Sequence, residues 1–207
     1  MFMRQTVFWV VLALGFPIAG QAAEEGMQSP TERVRIGVNK VIAILQDKTL
    51  GREARQVKIR EIIDDGFDFQ SMSQSVLATN WKGASSEERR RFVSFFSEYL
   101  ENTYMASIES YTDQTIRYTG EKIRGDRAIV DSEIVTDTAD IPITYKLKLN
   151  EGSWFAYDVV IEGVSLVSNY RTTFAAILRT EGMDGLLSDL QNKIDHYKAT
   201  QKTGSVN

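Results

Sequence analysis

The sequence has no cysteine, only three prolines and a single histidine. Without cysteine there is no disulfide, no thiol nucleophile and no thiolate metal site, so packing alone must hold the fold. His196 lies near the C-terminus, and any Ser-His-acid device would have to use it. No apolar run reaches the ~20 residues that a membrane-spanning helix needs. Neither G-x-x-x-x-G-K-[ST] nor G-x-G-x-x-G occurs, which leaves nucleotide binding without support. Charge of either sign is little in excess, with 24 Lys+Arg against 28 Asp+Glu and a net charge of −4 in 207 residues. A mildly acidic chain without a basic stripe argues against nucleic acid as a partner. It also argues against tight electrostatic binding to anionic membranes.

The N-terminus carries an export pattern. Arg4 precedes the apolar run Val7 to Ala19, and Gly20 and Ala22 stand at −3 and −1 of a cleavage after Ala22. That order is that of a secretory signal peptide. Residues 1–22 are therefore read as the signal, 23–197 as one domain, and 198–207 as a frayed polar tail. A domain of that size can bury an adequate core without staples.

Periodicity divides the domain. Gln28 to Asp47 reads as a helix, with Ser29 as N-cap, Pro30 at the first position and Glu32 completing a capping box. A second helix is expected from Arg52 to Asp65, and a short one after the cap Asp68, with Trp81 closing the stretch. Ser85 and Glu88 form another capping box that opens a long helix. Phe92, Val93, Phe95, Phe96, Tyr99, Leu100 and Tyr104 cover about half its circumference, while Arg90, Arg91, Ser94, Glu98 and Glu101 share a polar face. An apolar arc wider than the ~100° of an ordinary surface helix implies two apolar partners. After Tyr111 the period becomes two. Strands are expected at Thr115–Ile123, Arg127–Thr136, Ile141–Leu149 and Trp154–Ile161, joined by turns short enough for consecutive antiparallel hairpins. Phe155, Tyr157, Val159 and Ile161 read as the covered face of the fourth strand, with Asp158 opposite. Helices at about Ser168–Thr180 and Asp184–Tyr197 follow, with Gly182 between them as a C-cap. The fold class is α+β: a curved antiparallel sheet of about four strands packed on one face by N- and C-terminal helices.

Catalytic motifs are weak. Gly163-Val164-Ser165-Leu166-Val167 is similar to a nucleophile elbow, but Val167 stands where glycine is required and the strand-to-helix context is wrong. Asp64, Asp65 and Asp68 make an acidic cluster interrupted by Phe67 and Phe69, unlike a calcium loop. It reads as a helix end followed by an N-cap. Arg124-Gly125-Asp126 is a hairpin turn. No catalytic residue, metal or cofactor is assigned. Apolar and aromatic residues without convergent polar groups suit either an ordinary core or a large apolar pocket.

Two stretches resemble the MlaC (toluene-tolerance auxiliary) family. The first runs from Leu77 through Trp81-Lys82, Ala84-Ser85-Ser86-Glu87-Glu88-Arg89, Phe92, Phe95-Phe96, Tyr99-Leu100 and Tyr104. The second is Trp154-Phe155-Ala156-Tyr157-Asp158-Val159, then Glu162-Gly163-Val164-Ser165-Leu166, Tyr170-Arg171, Phe174, Ile177-Leu178-Arg179 and Gly182-Met183-Asp184-Gly185-Leu186. Ala78 departs from the glycine common in the family. The resemblance implies a monomeric periplasmic carrier, not an enzyme, that moves glycerophospholipid between an outer-membrane lipoprotein complex and an inner-membrane ABC transporter complex. A carrier of another apolar lipid, such as a hopanoid, is the alternative. By the same resemblance the lipid lies in an apolar pocket between sheet and helices, lined by Tyr99, Tyr104, Tyr145, Leu147, Tyr157, Val159, Val164, Leu166, Tyr170 and Phe174.

Overall fold

The computed structural model describes residues 28–111 and 114–204. The signal expected over residues 1–22 lies outside them. Five helices precede the sheet: α1 (Pro30–Gln46), α2 (Arg52–Gly66), α3 (Phe69–Leu77), α4 (Thr79–Gly83) and α5 (Ser86–Glu109). The strands are β1 (Thr115–Arg124), β2 (Arg127–Val135), β3 (Asp140–Asn150), β4 (Ser153–Ile161) and β5 (Val164–Ser165), and α6 (Leu166–Gly204) ends the described chain. The strands pair in sequence order, every neighbour antiparallel. The fold class is the α+β arrangement expected, enlarged by the two-residue β5.

Local chemistry explains most boundaries. Ser85 accepts the Glu88 amide at 3.2 Å while the Glu88 carboxylate accepts the Ser85 amide at 2.7 Å, so the capping box at α5 is complete. The box expected at α1 is half made. Ser29 accepts the Glu32 amide, but the Glu32 carboxylate turns to Arg35 at 2.6 Å. Asp68 caps α3 by accepting the Ser71 amide at 2.8 Å. Gly182 takes φ 68° and ψ −163°, which breaks α6 into two arms. The second arm continues past Tyr197 to Gly204, beyond the end expected for it.

The helices and the sheet consolidate two apolar clusters. The larger joins α3, α4, α5 and both arms of α6 around Met72, Trp81, Phe92, Phe96, Phe174 and Leu187. Phe174 meets Phe92 and Phe96 edge-on, with ring centroids 6.1 and 5.9 Å apart, a favoured arrangement of ring quadrupoles. The smaller cluster lies where Val34 and Val38 of α1 sit on Ala128 and Val130 of β2, Leu147 of β3 and Trp154 of β4. The two clusters have no residue in common.

The register of β3 and β4 shifts between Lys146/Asp158 and Leu147/Ala156, which leaves Tyr157 as the extra residue of a β-bulge. The bulge overturns the simple alternation expected for β4. Before it, Trp154 and Ala156 are the buried positions and Phe155 is half-buried. After it, Val159 pairs with Tyr145 and Ile161 with Ile143. Asp158 lies opposite them as expected, yet it is buried, because the turn into α6 closes over it. Its carboxylate accepts from Lys146 Nζ at 2.8 Å, Ser165 Oγ at 2.7 Å and the Val167 amide at 3.1 Å.

A candidate apolar binding face

Strand register assigns the faces of the sheet. Ile116, Ile134 and Ile141 are cross-strand partners in one row. Tyr118, Ser132, Ile143 and Ile161 form the next, and Val130, Tyr145 and Val159 the one after. Ala128, Leu147 and Ala156 continue the same face under α1. Burial is graded along it. Ala128, Val130 and Leu147 are buried, whereas Ile116, Tyr118, Ile134, Ile141, Ile143, Tyr145 and Ile161 are only half-buried. The face stays apolar where α1 no longer covers it. Apolar area left in contact with water is unfavourable by about 25 cal/mol per Å².

Polar atoms are sparse here and poorly matched. The Tyr118 hydroxyl and the Trp154 indole N–H are buried without a protein hydrogen-bond partner. Desolvation pushes the Tyr118 hydroxyl up to about 12, with Arg35, whose guanidinium lies 4.9 Å from the ring centroid, working in the opposite sense. Burial, and then neighbouring Tyr118, also raises Tyr145. These phenols stay neutral at physiological pH and supply hydrogen-bond donors, not charge.

The helical side brings aromatic residues together. Tyr99 and Tyr104 of α5 and Leu166 of α6 pack on the larger cluster while remaining half-buried, as does Tyr157 from the bulge. Tyr170 is buried among them, with its ring edge-on to Tyr99 at 5.8 Å and to Phe96 at 5.5 Å. Burial raises its hydroxyl, and Tyr104 and then Tyr99 raise it further.

The ten residues expected to line a pocket are thus dispersed. Tyr99, Tyr104, Tyr157, Leu166, Tyr170 and Phe174 belong to the helical cluster, and Tyr145 and Leu147 to the sheet cluster. Val159 is buried at the register position opposite Tyr145. Leu147 and Phe174 are each 1% exposed and are core. Val164 is corrected. It is 57% exposed, because the Glu162-Gly163 turn returns the chain as the edge strand β5. Ile116, Ile134, Ile141 and Ile143 were not among the ten, although the alternation Ile141, Ile143, Tyr145, Leu147 places two of them on the face of Tyr145.

Two clefts border α5. One of about 210 Å³ is lined by Tyr99, Asn102, Lys193 and His196 among others, and one of about 280 Å³ by Arg60, Asp64, Ser94 and Glu101 among others. Both are smaller than the ~300–1,000 Å³ of ordinary ligand sites. The second borders an ion pair. Arg60 of α2 reaches Glu101 at 2.5 Å and Asn102 at 2.7 Å. Glu101, expected on the wet face of α5, is therefore buried. Desolvation raises its carboxyl despite Arg60, and nearby Asp64 adds to the rise.

Ser165 has a structural use. It donates to Asp158 and accepts the Ser168 amide at 3.1 Å, capping α6. Among the described residues no group of three or more His, Asp or Glu side chains could hold a metal ion, and no helix is long and apolar enough to cross a membrane.

Residues 37–192 match the sequence model of the MlaC protein family. The intermembrane phospholipid transport system binding protein MlaC of Haemophilus influenzae is 30% identical over 122 residues, covering 56% of this chain and 57% of the relative. The toluene tolerance protein ttg2D of Pseudomonas putida is 24% identical over 142 residues, covering 67% of this chain and 64% of the relative. The chain thus spans under two thirds of both relatives. A phospholipid-binding protein from Ralstonia solanacearum, solved in complex with a phospholipid, superposes with a TM-score of 0.72 at 21% identity, covering 80% of this chain and 97% of that one.

Proposed function

The chain belongs to the MlaC protein family, and from that premise we propose that it is a periplasmic carrier. It binds glycerophospholipid and shuttles it between an inner-membrane ABC transporter complex and an outer-membrane lipoprotein complex. One observation carries the reading: an apolar sheet face continues beyond its covering helix as half-buried Ile116, Ile134, Ile141, Ile143, Tyr145 and Ile161. The names of the two curated relatives and the lipid held by the solved relative agree with it.

The chemistry suits transport. Each buried CH₂ contributes about 0.8 kcal/mol, so two acyl chains amount to roughly 25 kcal/mol of transfer from water. A soluble protein holds such a ligand only on a surface nearly as apolar as the bilayer. The open isoleucine rows supply that surface for the chains. Tyr99, Tyr104, Tyr157, Leu166 and Tyr170 supply the opposing wall, and the Tyr118 and Trp154 donors suit ester or headgroup oxygens. Release is left to a partner, because the sequence carries neither nucleotide-binding motif. No bond-making step is assigned to the chain.

Organic extraction of protein purified from its native host, followed by mass spectrometry, should yield diacyl phospholipid. Ile143→Glu should lower occupancy at least tenfold while the melting temperature stays within a few degrees, since Ile143 is half-buried. Leu147→Glu is the poorer test, because that residue is core. Unchanged occupancy in Ile143→Glu would remove this face from the site. A different extracted mass would replace phospholipid as the cargo.

A further inference from the structure

The opposite face of the sheet has a charge distribution that composition conceals. Register places Arg124, Arg127 and Lys148 in one cross-strand row and Lys122, Ile129 and Lys146 in the next. Five cations thus meet at one end of a sheet in a chain of net charge −4. Two of them are engaged. Lys146 is held by Asp158 at 2.8 Å, and Arg127 lies 4.8 Å from the Tyr157 ring centroid and 3.7 Å from Asp126. Lys122, Arg124 and Lys148 have no ion-pair partner among the described residues.

The acids of this end are few. Glu121 is occupied by the Thr31 amide of α1 at 2.7 Å, and Asp126 and Glu151 sit in the two turns. The far half of the same face is acidic, with Asp131, Glu133 and Asp140, two of which share Arg117 at 3.3 Å. At about 3.3 Å per residue, Glu133 lies roughly 20 Å along the strand from Arg127, beyond the ~8 Å screening length of physiological salt. Asp131, about 7 Å along the strand from the Lys122–Ile129–Lys146 row, accepts from Thr144 at 2.6 Å, whereas the Arg124–Arg127–Lys148 row lies about 13 Å from it, so the charge of that outer row is not cancelled.

Bare aliphatic side chains stand at the same end of the sheet. Residues 121–127, the whole end of the β1–β2 hairpin, are exposed; Ile129, 38% exposed, stands between Lys122 and Lys146, and Ile123, 52% exposed, lies on the reverse face of the same hairpin end. Cations beside exposed aliphatic groups match a lipid interface, whose headgroups are anionic and whose acyl boundary accepts apolar side chains. An acidic protein surface would use the cations but leave both isoleucines unmatched.

We propose that this end of the sheet, with Lys122, Arg124 and Lys148 around Ile129 and with Ile123 on the reverse of the hairpin end, docks on the surface of an anionic phospholipid bilayer. The hairpin end approaches first and the acidic half faces away. As a deepening of the carrier reading this docking rests on that reading, and the experiment separates the two.

The test is co-sedimentation of the full mature chain with vesicles of phosphatidylcholine alone or with about 30 mol% phosphatidylglycerol. Binding to the anionic vesicles should exceed that to the neutral ones by on the order of tenfold at low salt, and should fall as ionic strength rises. The triple variant Lys122→Glu, Arg124→Glu, Lys148→Glu should lose that excess. Lys48→Glu, Lys58→Glu, Arg179→Glu makes the same change in net charge at exposed positions elsewhere and should keep it. Equal binding to the two vesicle types overturns the proposal, as does equal loss in the two variants. A face variant that binds vesicles normally but no longer exchanges lipid with its partner complexes also overturns it, since the face would then be a protein interface. Extracted cargo is measured in every variant. Absence of cargo from the wild-type protein with docking intact counts against the carrier reading alone.

Discussion

Single side chains record where local preference gave way to tertiary need. Ala78 joins α3 to α4 with φ 50° and ψ −119°, a conformation in which a Cβ is strained. This is the position where the sequence departs from the family's glycine. Ala78→Gly should stabilise the protein by roughly 1 kcal/mol, measured by urea denaturation. Glu101 shows the opposite case, a carboxylate kept in a site that resists its charge. Because burial holds its folded-state pKa above the ordinary glutamate value, its contribution to stability is fully present below that ordinary value. It is lost as pH rises through the folded-state pKa. Melting temperatures of wild type relative to Glu101→Gln should therefore fall as pH is raised from about 4 to about 7. Arg60→Ala should cost roughly 2–3 kcal/mol, less than a fully buried pair because Arg60 is a quarter exposed. An unchanged denaturation midpoint in Arg60→Ala would show that solvent already neutralises Glu101.

Elements were legible where a cap or a strict period marks them. Ser85 with Glu88, Asp68, and the alternation of β3 each specify their structure locally, and those segments begin and run as the sequence indicates. Two features were not legible. The β4 bulge at Tyr157 arises from pairing with β3 and has no turn residue to announce it. The three-way hydrogen bonding of Asp158 needs Lys146 and Ser165, which only the sheet and the entry to α6 bring together. Gly182 was legible as a break, because a glycine tolerates a positive φ followed by an extended ψ. Gly182→Ala should destabilise by about 1–3 kcal/mol, detectable as a lowered thermal midpoint. An alanine accepted without loss would mean that the two arms of α6 can realign into one straight rod.

At the scale of the molecule, composition served well for exclusion and poorly for surfaces. Missing cysteine, nucleotide motifs and histidine pairs removed whole classes of chemistry. The net charge, however, pointed away from membranes, while strand register collects cations that lie up to 26 positions apart in sequence, from Lys122 to Lys148, at one end of the sheet. The proposed binding face was half legible. Alternation in β3 placed Tyr145 and Leu147 on one side, but sequence does not tell how far α1 extends over them. That distance separates core Leu147 from accessible Ile143.

The two clusters with no common residue have a further consequence. A wall made in two independently consolidated parts can widen at the seam without repacking either part, so added hydrocarbon displaces boundaries and not well-ordered interiors. Such a vessel should be indifferent to tail length. In competition, lipids of shorter and longer tails should occupy it in nearly the ratio offered.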